Sequence, residues 1–166
     1  MRFILLFFVL ISFSCHDNKG YVNKDENEGD EVYSVEGDDK QMNLAILEAK
    51  KTYPDFIKIL ESGDTTCSDF SVKMKFEYGE NDAEHMWLNN FYLREGMLFG
   101  ILDSDPVYVT SVKSGDTLQV DKNKISDWMY IRDNKLEGGY TIKALYNKMN
   151  KQEKKEFREQ VGFIIE

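Results

Sequence analysis

Two cysteines and two histidines in 166 residues are too few for a disulfide scaffold or a self-contained zinc module. Positive charge is scarce as well. Lys and Arg number 21 against 30 Asp and Glu, a formal net charge of −9. Such a chain lacks the electrostatic footprint of a polyphosphate binder, so nucleic acid is not an expected partner. No apolar run approaches the about 20 residues that a membrane-spanning helix needs. A phosphate loop is missing too, because no Lys-Ser or Lys-Thr pair follows Gly138-Gly139 at the required spacing. No internal repeat is visible. What is present is ordinary globular composition, 42% hydrophobic, 13% aromatic and 31% charged, which implies one compact domain.

The N-terminus reads as a targeting segment. Arg2 precedes an unbroken apolar run at residues 3–11, then Ser12, Phe13, Ser14 and Cys15. This pattern predicts a signal peptide over residues 1–14. Cys15, placed where the apolar run gives way to polar sequence, resembles the lipid-acceptor cysteine of a bacterial lipobox. The expected consequence is a protein tethered to a membrane by acyl chains at Cys15, in the bacterial cell envelope and facing the periplasm or the surface. With Cys15 acylated, Cys67 is the remaining thiol and no internal disulfide can form. Between His16 and Lys40 stand nine acids and three bases with few apolar residues. Residues 15–37 therefore read as an acidic spacer, and residues 38–166 as the folded domain.

Within that domain, Met42, Ala45, Ile46, Ala49, Tyr53, Phe56, Ile57 and Leu60 recur at helical spacing. Asp38 and Gln41 stand in capping-box relation, Gly63 marks a stop, and Pro54 predicts a kink or two consecutive helices with Thr52 capping the second. Phe70, Val72, Met74, Phe76 and Tyr78 alternate with polar residues, the pattern of a strand with one wet face. Further strands are expected at residues 84–93, 97–102, 107–112, 117–120 and 125–131. Two helical segments close the chain, one after Gly138-Gly139 and one capped by Asn150 with Glu153. The predicted class is α+β: a kinked N-terminal helix, a bent antiparallel meander of five to six strands that is partly barrel-like, and C-terminal helices.

Several of these residues resemble one family in order and spacing. Asp38-Asp39 before Met42-Asn43, Phe56 ahead of a strand with Lys73 and Lys75, and Glu84-His85-Met86-Trp87 are similar to the bacterial YegJ-type domain of unknown function. Gly100, Gly115-Asp116, the run Ile125-Ser126-Asp127-Trp128-Met129-Tyr130, and Gly138-Gly139-Tyr140-Thr141 extend the likeness across residues 38–149. The resemblance implies a fold-level grouping and carries over no catalytic residue. Similar members are small secreted or lipid-anchored envelope proteins, and others accompany secreted toxin systems.

Glu84-His85 is the one acid/base pair of the domain, and neighbours on a strand point to opposite faces. No catalytic residue is therefore assigned, and a strand His at the core edge is the default. One His and one thiol in the domain likewise imply no metal site and no cofactor. The surface expected to bind a protein or a small ligand consists of Asp127, Trp128, Tyr130, Gly138, Gly139 and Tyr140, with Trp128 partly exposed between polar neighbours. A non-catalytic, lipid-anchored binding module follows from these readings. The alternatives are an immunity protein against a secreted toxin and, behind it, a hydrolase-type enzyme centred on His85.

Overall fold

The apolar stripe of residues 42–60 winds into a single helix. In the computed structural model, which describes residues 39–80 and 82–166, α1 spans Lys40–Ser62. The signal segment, Cys15 and the acidic spacer lie outside the described residues. The carboxylate of Asp39, not Asp38, caps α1 by accepting from the Gln41 and Met42 amides at 3.0 and 3.3 Å. Gly63 closes the other end in the left-handed conformation. Pro54 lies inside the helix without splitting it. Thr52 consequently caps nothing; its hydroxyl donates back to the Glu48 carbonyl at 2.7 Å.

Six strands follow: β1 Cys67–Tyr78, β2 Asp82–Arg94, β3 Met97–Leu102, β4 Thr117–Gln119, β5 Ile125–Arg132 and β6 Lys135–Gly138. Helices α2 Tyr140–Lys148 and α3 Lys151–Val161 complete the α+β fold. The sheet is antiparallel in the order β4-β3-β2-β1-β5-β6. Its meander runs from β1 to β4, after which the chain crosses back to place β5 beside β1.

That crossing dictates curvature. A flat sheet would separate β4 from β5 by four strand spacings, about 19 Å, nearly the full reach of the six steps between them. Part of that length is spent in a turn, since Lys124 N–H donates to the Asp121 carbonyl at 2.9 Å. The sheet must curl to make up the difference. It does not close, because β4 and β6 remain its two ends.

The strands depart from expectation at two places, one absent and one additional, for identifiable reasons. Residues 107–112 are irregular because the Glu84 carboxylate, and not a neighbouring strand, takes their amides: Val107 at 2.8 Å, Tyr108 at 3.2 Å and Val109 at 3.1 Å. The short β6 carries one buried apolar side chain, Leu136, and so shows no alternation to read.

The core has two parts. Ala49, Tyr53 and Phe56 of α1 pack on Val72, Met74, Met86, Leu88, Trp128 and Tyr130. Phe56 is fully buried at the centre, with ring contacts to Tyr53, Phe70, Phe91 and Trp128. A smaller cluster joins Ile131, Leu136, Tyr146 and Ile165, with Phe157 and Val161 of α3 against it. Successive β5 residues thus serve different clusters, which is why β5 is buried along nearly its whole length.

Candidate functional site

The six residues singled out on sequence do come together, but inside the molecule. Asp127 is 0% exposed, Trp128 and Tyr130 are each 5% exposed, and Gly138 and Gly139 are buried. Only Tyr140 is half-buried. The expectation that Trp128 is partly exposed is therefore corrected. Its indole N–H is spent on α1, donating to the Ala49 carbonyl at 3.0 Å and the Thr52 hydroxyl at 3.2 Å. Phe56, Tyr130 and Tyr140 enclose the ring at centroid distances of 5.6, 6.0 and 5.7 Å. A large aromatic with a satisfied polar handle is core material.

Gly138 belongs to the same arrangement. It adopts φ +69°, and a Cβ there would sit 2.3 Å from the Trp128 carbonyl oxygen and 2.5 Å from the indole ring. Only glycine permits both that backbone conformation and that approach. The Gly139 amide then donates to the Trp128 carbonyl at 2.8 Å, fixing the strand-to-helix turn.

Asp127 supplies what Gly139 lacks. As N-cap of α2, Gly139 has no side chain to satisfy the first helical amides. The Asp127 carboxylate accepts from Tyr140 N–H at 3.0 Å and from Thr141 N–H and hydroxyl at 2.8 and 2.5 Å. It also accepts from Trp128 N–H at 2.9 Å. Burial pushes this carboxyl above its ordinary pKa, against the hydrogen bonds from Thr141 and Trp128 and the charge of Lys73. A residue of β5 thus caps a helix that starts 13 positions later.

The group that remains accessible is on the other face of β1 and β2. Register pairs Lys73 with Trp87 and Lys75 with His85, so these four side chains stand side by side. Val72, Met74, Met86 and Leu88, which alternate with them, point into the core under α1. The Lys73 ammonium lies 5.3 Å from the centre of the Trp87 ring. Among the described residues no carboxylate comes within ion-pair distance of it, whereas Lys75 is paired with Glu77 at 3.0 Å. Lys73 is half-buried, and that burial lowers its pKa against the charge of Asp127, its register partner on β5.

His85 is exposed at its outer edge yet crowded by its neighbours. Its imidazole is lowered to about 4, first by desolvation and then by the charges of Lys73, Lys75 and Lys50. Glu84 turns to the opposite side, 8% exposed, with both oxygens occupied by the loop amides. The adjacent acid and base therefore do not share a substrate. Among the described residues no three His, Cys, Asp or Glu side chains gather as metal ligands. The signal for this face was the strict alternation of Lys73 and Lys75 in β1; the pairing of Lys73 with Trp87 was not readable without the register.

Residues 39–164 match the family described as an uncharacterized protein conserved in bacteria, DUF2314. The chain belongs to this family. It is 39% identical over 124 residues to the uncharacterized protein YegJ of Escherichia coli strain K12, covering 74% of this chain and 78% of that one. It is 33% identical over 132 residues to a putative ankyrin repeat protein of Neisseria meningitidis serogroup B, covering 75% of this chain and 52% of the relative. The chain thus spans about half of that longer protein. No solved structure matches it.

Proposed function

We propose that this DUF2314 domain is a non-catalytic binding module, held at the bacterial cell envelope by acyl chains on Cys15, and that it meets a protein partner through the open face of β1 and β2. The observation that carries the binding reading is Lys73, a half-buried ammonium stacked on Trp87 with no carboxylate partner among the described residues. Partial burial of that ammonium costs stability, which the Trp87 ring and the charge of Asp127 offset in part, and a partner carboxylate that reached it directly would recover more. Among the described residues no carboxylate orients the neighbouring His85, and the charges of Lys73, Lys75 and Lys50 act on it, which is poor provision for a general base. The apolar run at 3–11 and the placement of Cys15 support the anchor.

A photo-cross-linking residue at position 87 in the cell tests the binding face, with the exposed α1 position 47 as control. A discrete adduct from position 87 and none from 47 is expected; equal adducts, or none from 87, would overturn it. The same preparations test the anchor. Cys15→Ser should move the protein from the membrane to the soluble fraction, and unchanged fractionation would reject acylation.

A further inference from the structure

Three residues in register cross the sheet on one face. Trp87 of β2, Lys73 of β1 and Asp127 of β5 are successive partners, so Lys73 stands between an aromatic ring on one side and a carboxylate on the other. Trp87 is half-buried, whereas Asp127 is fully buried at the start of α2. That start has few other supports. Its N-cap, Gly139, is left-handed and offers no side chain, and the nine residues of α2 bury Thr141 and Tyr146 alone. Helix α3, which follows, buries no residue fully. The amides of Tyr140 and Thr141 and the Thr141 hydroxyl all end on Asp127.

A carboxylate with no exposure is costly to keep charged. Compensation comes from its four donors and from the positive charge of Lys73. If the first turn of α2 opens, water reaches Asp127, and the same ammonium counts for little across a high dielectric. Lys73 therefore favours the capped state over the open one by the difference between its attraction for Asp127 in the two. The same ammonium lies 5.3 Å from the centre of the Trp87 ring, on the face proposed to meet a partner.

We propose that Lys73 links the open face to α2: its ammonium steadies the carboxylate that caps the helix, and a contact that neutralises or displaces this ammonium loosens the first turn of α2. Lys73 is a positioning residue in this arrangement, acting on α2 through Asp127. The support of the cap is a property of the domain alone, while its control by a partner rests on the binding reading above.

Amide hydrogen exchange, followed by nuclear magnetic resonance on the full-length protein in detergent micelles, tests this. Lys73→Met keeps the stem and removes the charge. It should speed exchange of the Tyr140 and Thr141 amides about tenfold, with the amides of β2 and β3 at parental rates as the control for global unfolding. Lys73→Arg keeps the charge and should leave the same two amides within about twofold of the parent. Unchanged exchange in Lys73→Met would overturn the proposal. So would equal acceleration in Lys73→Met and Lys73→Arg, because the loss would then follow side-chain shape and not charge, and so would acceleration shared by β2 and β3. Cross-linking from position 87 judges the binding reading separately. An adduct together with unchanged exchange keeps the face and removes the link, whereas accelerated exchange without an adduct keeps Lys73 as support of the cap and removes the partner.

Discussion

Trp128 joins α1 to the sheet through three kinds of contact: an indole hydrogen bond to the Ala49 carbonyl, ring packing on Phe56, and a carbonyl that fixes the Gly139 amide. Trp128→Ala deletes the first two and leaves a cavity under α1. The expected loss is about 3 to 5 kcal/mol. Chemical denaturation should show it as a lower midpoint with an unchanged slope, and a loss below about 1 kcal/mol would mean that the ring is not part of the core. Gly138→Ala is harsher in kind, since the new Cβ would meet both the Trp128 carbonyl and its enclosed indole ring, neither of which has room to move aside.

Element by element, the loop of residues 103–116 depends on one side chain of β2. Glu84 reaches 23 to 25 positions along the chain to bind three consecutive amides, Val107, Tyr108 and Val109. Charge-assisted bonds of this type contribute about 1.5 to 3 kcal/mol each when removal leaves the partner unsatisfied. Here Val107 and Tyr108 are exposed, so water replaces part of the loss. Glu84→Ala should therefore release the loop while sparing the sheet. Amide hydrogen exchange at residues 107–109 is expected to rise by at least about tenfold, with β1 and β5 unchanged. Exchange that stays slow would show that the Tyr78–Tyr108 stack, at 5.1 Å, holds the loop without the carboxylate.

For the whole molecule, stability on the acid side has opposing contributors. The imidazole of His85 is lowered from 6.5 to about 4, so the unfolded chain binds the extra proton first. Its contribution is present above 6.5 and is lost as pH falls toward about 4. Asp39 is lowered by its hydrogen bond to Lys148 and acts in the same direction, its contribution vanishing as pH drops through the carboxylate range. Asp127 is raised by burial and acts oppositely, favouring the fold where it is protonated. Denaturation midpoints measured between pH 6.5 and 4 should fall for the parent and fall less for His85→Gln. Parallel curves would mean that His85 is as well solvated in the fold as in the unfolded chain.

Local spacing alone determined α1, the alternation of β1, the Asn150–Glu153 capping box and the α+β order, because each depends on neighbours within a turn or a strand. Side-chain alternation also separated Glu84 from His85 before any contact was known. Other features needed partners distant in the chain. Asp127 reads as a surface acid until α2 folds over it and asks for a cap. Trp128 reads as half-exposed until Ala49, 79 positions away, accepts its N–H. Residues 107–112 carry the β-branched side chains of a strand, yet a single carboxylate takes the amides of Val107, Tyr108 and Val109. The pairing of Lys73 with Trp87 depends on strand register, which no property of either residue specifies. Tertiary structure decided these points because burial, and who satisfies each buried polar group, belong to the assembled fold and not to any short window of the chain.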